Sequence, residues 1–258
     1  MSHHLLEVQD LAYAYADGTA ALSGVSFRLT HGEAVGIVGA NGAGKSTLLL
    51  ILAGVLLPTA GKVRVGDVPL TGKTLKLIRR HVGLVFQDPD DQLFMPTVGE
   101  DVAFGPRNLG LPPEEVEGRV AAALEAVGAG GLRGRPPYRL SGGEKKAAAI
   151  AAVLAMQPDV LVLDEPSAGL DPRARRRLGG LLAGFTHTKV LATHDLDLVM
   201  DLCPRTIVLR EGRVLADGPT AEIMRDGELL DAGGLEKPLR LQTSPPGPLS
   251  EAERGSAR

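Results

Sequence analysis

A glycine-rich loop set between an apolar run and a helix is the feature that most narrows what this chain can fold into. Gly39-Ala-Asn-Gly-Ala-Gly-Lys45-Ser46 fits the pattern G-x-x-x-x-G-K-[ST]. In that pattern Gly39, Gly42 and Gly44 let backbone N–H groups point inward at phosphate oxygens without side-chain clashes. The loop follows Val35-Gly-Ile-Val38, read as a buried strand, and precedes Ser46-Thr-Leu-Leu-Leu-Ile-Leu52, read as a helix. That context makes Gly39, Asn41, Gly42, Gly44, Lys45, Ser46 and Thr47 the candidate nucleotide-binding residues, with phosphate at a helix N-terminus.

The flanking segments predict an α/β fold. Leu6 to Leu29 reads as two short strands around an Asp17-Gly18 turn, a small antiparallel unit. Strands are expected at Gly61-Lys-Val-Arg-Val, at His81 to Phe86 ending at Gln87, at Asp159 to Asp164, at Lys189 to Thr193 and at Thr206 to Leu209. Continuous apolar strands alternating with helices, such as the one read over Pro172 to Phe185, imply a mostly parallel sheet covered on both faces. Between Asp88 and Gln157 the texture changes to Pro- and Gly-marked turns with Ala-rich helical runs, Pro113 to Val127 and Glu144 to Met156, read as a helical lobe inserted into the core. The expected division is one domain over 1–235, its core 1–87 and 158–235 and its helical lobe 88–157, followed by a disordered tail over 236–258 rich in Pro, Ser and charge.

Composition excludes several classes. Lys plus Arg is 28 and Asp plus Glu is 31, a net charge of −3, so no nucleic-acid partner is expected. No apolar run reaches the roughly 20 residues that span a bilayer, and the N-terminus lacks a signal-peptide pattern, so the chain is expected in the cytosol. The single cysteine, Cys203, reads as a small buried side chain, and His3 and His4 as a solvated terminus.

A phosphate loop used for hydrolysis needs oxygen ligands for magnesium, a group to orient water, and charge compensation. Lys45 is placed to meet the β and γ phosphates, and the Ser46 hydroxyl to bind Mg2+. Asp164 closes the Val160-Leu-Val-Leu163 strand, where a carboxylate can reach the metal; the plain alternative is a turn cap. Glu165 follows and is the candidate general base. His194, just after another strand, is placed to bond the γ phosphate, and the Gln87 amide to approach magnesium and water.

Leu140-Ser-Gly-Gly-Glu144, Ser167-Ala-Gly-Leu-Asp171 directly after Asp164-Glu165-Pro166, and Thr193-His194-Asp195 complete a set of motifs. With the phosphate loop, they make the chain resemble the ATPase subunits of ATP-binding-cassette (ABC) transporters over about residues 5–225. The resemblance implies a phosphate-loop ABC ATPase fold and ATP with Mg2+ as cofactors. It further implies two copies, identical or sister chains, paired head to tail, with Ser141, Gly142 and Gly143 of one closing on ATP held by the other. Tyr15, before Tyr13, matches the aromatic that stacks on adenine, and Asp171 would lie at the dimer seam. From the residues alone, Ser141 and Glu144 also read as a helix cap.

Downstream of Gln87, Asp-Pro-Asp-Asp-Gln92-Leu-Phe and Pro96 to Leu111 resemble the energy-coupling-factor importers for cobalt, nickel or water-soluble vitamins, as does Ser-Gly-Gly-Glu-Lys-Lys. This implies transmembrane transporter subunits as partners and a peripheral position on the cytoplasmic membrane face. Asp88, Asp90 and Asp91 are rejected as a cobalt site, because transition metals favour imidazole or thiolate. Ala147 departs from the basic residue usual in that subfamily. The competing expectation is a soluble cassette ATPase acting on DNA or the translation machinery, against which stands the lack of a coiled-coil insertion or second cassette.

Overall fold

Apolar residues along the core strands divide by a period of two, and that division fixes the layers. Val35 and Ile37, Val160 and Val162, and Val190 and Ala192 pack into one core, whereas Val38, Leu161, Leu163 and Leu191 pack into the other. Side chains on a strand alternate faces, so a sheet built this way is buried on both sides. The computed structural model describes residues 5–242.

The chain begins with β1 (Leu6–Ala14) and β2 (Ala20–Leu29), followed by β3 (Ala34–Val38), α1 (Lys45–Leu52), β4 (Ala60–Val65), β5 (Val68–Pro69), α2 (Leu75–His81) and β6 (Val82–Val85). A helical stretch comes next: α3 (Val98–Asn108), α4 (Pro113–Ala126) and α5 (Gly142–Leu154). The α/β pattern then resumes with β7 (Val160–Asp164), α6 (Pro172–Ala183), β8 (Thr188–Ala192), α7 (Leu196–Leu202), β9 (Arg205–Arg210), β10 (Arg213–Pro219), α8 (Thr220–Ile223) and α9 (Gly227–Ala232).

The larger sheet has the order β10-β9-β3-β8-β7-β6. Every neighbouring pair from β9 to β6 is parallel, and only β10 runs antiparallel, on the β9 edge. The smaller sheet, β2-β1-β4-β5, is antiparallel. Helix α1 lies in the core between the two sheets: its Leu48, Leu49, Ile51 and Leu52 are fully buried with Leu6, Val8, Leu11 and Val25 of the small sheet. Helices α3, α4 and α5 contact one another, and α5 packs against both β6 and α6. The strands expected from sequence are present with ends shifted by a residue or two; α2 and β10, neither foreseen, carry too few apolar residues in register to be read as periodic.

The tail expected to be disordered covers 236–258, and its described part, 236–242, is held on the domain: Arg240 pairs with Asp197 at 2.7 Å and Asp201 at 2.8 Å, and the Leu239 N–H donates to Asp197, which docks a short turn over Leu239–Leu241 on α7. Residues 243–258, like His3 and His4, lie outside the described residues. Cys203 is buried at the C-terminal end of α7, and burial pushes its thiol up to about 12.

Candidate active site

Because β3, β8, β7 and β6 are parallel neighbours, their carboxyl ends share one edge of the sheet, where ligands bind in open α/β folds. Gly39 follows β3, Thr193 and His194 follow β8, and Asp164 ends β7. Gln87 differs from expectation: β6 stops at Val85, and the side chain of Gln87 is exposed in the loop beyond it. The strand ends early because the Phe86 N–H donates to the Gln92 side chain (3.3 Å) instead of continuing the ladder.

In the phosphate loop, Lys45 is buried and its Nζ donates to the carbonyls of Gly39 (2.7 Å) and Ala40 (3.2 Å). Burial lowers its pKa, and the charges of Glu165 and Asp164 oppose that shift. Gly39 has φ 154°, and a Cβ there would sit 2.2 Å from the Leu209 carbonyl oxygen, so no other residue fits without moving β9. Asn41 and Gly42 are exposed at the loop tip, and Gly44 precedes α1. The Thr47 hydroxyl shares a 2.8 Å hydrogen bond with that of Tyr15, a residue 41% exposed whose ring makes a T-shaped contact with Tyr13. The small sheet is thereby tied to the first turn of α1, with an exposed aromatic residue beside it.

Asp164 ends β7 with its buried Oδ1 lacking a hydrogen-bond partner among the described residues. Burial raises its pKa, with the neighbouring Glu165 charge adding to the effect and Ser46, Lys45 and Lys146 opposing it. An orphaned carboxylate oxygen beside a hydroxyl is a donor set that suits a hard cation.

Glu165 is the most constrained residue of the site. It is buried, and its backbone has φ 42°, a left-handed conformation that costs a non-glycine residue about 1–3 kcal/mol. Its N–H donates to the Ala192 carbonyl of β8 at 2.8 Å. Its Oε2 accepts from the Thr193 hydroxyl (2.8 Å) and meets His194 Nδ1 at 2.9 Å, while the His194 N–H donates to Oε1 at 3.1 Å. The carboxylate is therefore aimed by the end of β8, and the His194 ring projects outward, 68% exposed. Sequence reasoning gave Thr193 no role; its signal was a hydroxyl directly after the apolar Val190-Leu-Ala192 run that ends β8.

The second set of motifs is not joined to the first within this chain. Ser141 caps α5 in a reciprocal box: it accepts from the Glu144 N–H (3.4 Å), and its own N–H and hydroxyl donate to Glu144 Oε2 at 2.8 Å. Those two bonds hold the Glu144 carboxyl below its usual range. Ser141 and Gly142 are exposed, and among the described residues no polar contact links Ser141, Gly142 or Gly143 to 39–47. Asp171 caps α6, accepting from Arg173 and Ala174 N–H at 2.8 Å. Ala147 lines a cavity of about 260 Å3 between α5 and α6, shared with Gly143, Leu170, Ala174 and Arg177. Lys146, also unassigned from sequence, is buried with its Nζ 2.6 Å from the Gln87 carbonyl.

Comparison with known proteins gives a consistent answer. Residues 22–168 match the ABC transporter family model. A Geobacter sulfurreducens protein provisionally assigned as an ABC transporter ATP-binding protein is 65% identical over 245 residues, covering 95% of this chain and 98% of that one. The energy-coupling factor transporter ATP-binding protein EcfA of Methanocaldococcus jannaschii is 49% identical, over 91% of this chain and 86% of its own. Among solved structures, cbiO1 of Clostridium perfringens, part of the ABC transporter complex cbiONQ, superposes with TM-score 0.79 at 40% identity, over 90% of this chain and 94% of that one. A dimeric ATP-binding cassette in a post-hydrolysis state with ADP and phosphate superposes with TM-score 0.74 at 28% identity, over 83% and 98%. A phosphate loop, an aimed carboxylate and a signature turn on one α/β scaffold thus have a single family origin: the chain belongs to the ATP-binding subunits of ABC transporters, of the energy-coupling-factor kind, and is an ATPase.

Proposed function

We propose that this ATPase drives an importer for cobalt or nickel ions or a water-soluble vitamin, working as a head-to-tail pair with an identical or sister chain on the cytoplasmic face of a membrane, docked on transmembrane subunits. No helix among the described residues is long and apolar enough to cross a bilayer, so on this reading passage of the solute belongs to those partners. The 40% identity to a member of a cbiONQ complex and the 49% identity to an EcfA protein support the branch. Residues 1–235 act as one ATPase domain, with core 1–87 and 158–235 and helical lobe 88–157, and residues 236–242 docked on it.

In each site, Gly39, Asn41, Gly42, Gly44 and Thr47 form the cradle for the triphosphate, and Lys45 leaves the Gly39 and Ala40 carbonyls to meet the β and γ phosphates. Tyr15 offers its exposed face to adenine. Ser46, Asp164 and Gln87 are the residues that would hold Mg2+, which when bound neutralises charge on the phosphate oxygens. Glu165 orients and deprotonates water for attack on the γ phosphorus; the bond from that phosphorus to the β–γ bridging oxygen breaks and ADP leaves. His194 steadies the Glu165 carboxylate and faces the γ phosphate with its exposed ring edge. Ser141, Gly142 and Gly143 of the partner close the site, and Asp171 lies at the seam.

The observation that carries this reading is the buried Glu165 carboxylate, held from β8 by Thr193 and His194 beside Asp164 and Lys45. Glu165→Gln keeps the shape and removes the base. The variant should bind ATP with parental affinity, accumulate as a dimer in ATP and lose nearly all hydrolysis; hydrolysis at the parental rate would overturn the assignment.

A further inference from the structure

The loop that carries Gln87 is fastened to the signature helix α5 at three points. Lys146 Nζ donates to the Gln87 carbonyl at 2.6 Å, Lys145 Nζ pairs with Asp90 at 2.6 Å, and Gln92 Nε2 donates to the Ala149 carbonyl at 2.7 Å. These contacts differ in kind. Lys145 and Asp90 are an exposed pair of the sort that contributes little to stability, and Gln92 is part-buried. Lys146 is only 2% exposed, and burying an ammonium is costly unless it is bonded. Its one hydrogen-bond acceptor among the described residues is the Gln87 carbonyl, and the charges nearest in effect are Asp88, Asp164 and Glu165. The sequence places it there by helical spacing: Lys146, Ile150 and Val153 share one face of α5, and all are buried.

We propose that Lys146 is a positioning residue for hydrolysis. By donating to the Gln87 carbonyl it fixes the backbone from which the Gln87 amide reaches into the site, and it makes the Gln87 loop and the Ser141 turn move as one body. This rests on the roles given above to Gln87 and Glu165. The cost of a buried ammonium is explained by what the bond does: an apolar side chain of equal length would pack as well but would leave the Gln87 carbonyl unheld.

Two substitutions in the full-length chain separate hydrogen bond, charge and packing. Lys146→Met keeps length and loses both donor and charge, whereas Lys146→Gln keeps a donor without the charge. Turnover, KM for ATP, and amide hydrogen exchange over residues 86–92 are the measurements. Lys146→Met should lower kcat about tenfold or more with KM within about twofold, and speed exchange in that segment, while Lys146→Gln restores most of both. Parental kcat and exchange in Lys146→Met overturn the proposal, as does Lys146→Gln failing as completely as Lys146→Met, which would show that a neutral donor does not hold the loop. Should Lys146→Met fold poorly, Lys146→Gln still decides by the same criteria. Glu165→Gln, assayed beside them, tells the two failures apart: an inactive Glu165→Gln with a fully active Lys146→Met sinks only the role of Lys146, and an active Glu165→Gln sinks the site reading beneath it.

Discussion

Replacing Thr193 by Val removes one hydroxyl and alters almost nothing else in shape, yet two hydrogen bonds depend on that group. The Thr193 hydroxyl donates to Glu165 Oε2 at 2.8 Å and accepts from the Asp195 N–H at 3.0 Å, and Thr193 is fully buried. Loss of a bond to a charged acceptor costs about 1.5–3 kcal/mol, and a buried N–H left unpaired about 1–3 kcal/mol more. The total of about 2.5–6 kcal/mol corresponds, at ~2–4 °C per kcal/mol for a chain of this size, to a fall in Tm of about 5–24 °C. Glu165 also loses one of the anchors that aim it, so kcat should drop about tenfold, equivalent to roughly 1.4 kcal/mol of barrier, with ATP affinity little changed. Thr193→Ser is the control: it keeps the hydroxyl and gives up one methyl, about 0.8 kcal/mol. Scanning calorimetry and a phosphate-release assay on both variants test this. A Thr193→Val enzyme with parental Tm and kcat would refute the reasoning, and a Thr193→Ser enzyme equally damaged would show that packing, not the hydroxyl, matters.

Two glycines of the phosphate loop, Gly39 at its start and Gly42 at its tip, should respond differently to alanine. Gly39→Ala drives a methyl to 2.2 Å from the Leu209 carbonyl oxygen and should abolish ATP binding in a fluorescent-nucleotide titration, whereas Gly42→Ala, with φ 80° and nothing within 4 Å, costs only the left-handed strain of about 1–2 kcal/mol; equal losses would contradict the steric account. For acid stability, burial works against the ionised Asp195 carboxyl, but Arg175, the Leu198 N–H and Ser167 outweigh it, so its pKa is lowered from 3.8. A carboxylate with a lowered folded pKa stabilises above its unfolded value and loses that contribution as pH falls through the folded one. Arg175→Met should therefore lower the urea midpoint at neutral pH, with the gap to the parent closing below pH 3.8; a gap independent of pH would exclude the ion pair as its cause.

Much of the scaffold was legible because parallel strands buried on both faces are written as unbroken apolar runs, Val160-Leu-Val-Leu163 most clearly. The glycine pattern, Asp164 and Glu165 were legible because their chemistry depends on adjacency in sequence. The partners of Glu165 were not, since Thr193 reaches it only when β8 pairs with β7 and Asp164 lies opposite Ala192. Lys146 was hidden for the opposite reason: a lysine in an exposed-looking Glu-Lys-Lys run is ordinarily solvated, and only the packing of α5 against β6 buries it. Helix-capping chemistry was read at Ser141 from the spacing of Glu144; at Asp171 it was not read, although the helix expected from Pro172 put an Asp at its N-cap.

The left-handed backbone at Glu165 gives this position two opposed optima. Glycine or asparagine would relax the main chain there and toughen the protein against heat, but neither extends a carboxylate far enough to meet Thr193. Selection for survival at high temperature and selection for turnover would therefore pull the same codon in different directions, and a stability screen run without an activity readout would enrich dead enzymes at residue 165.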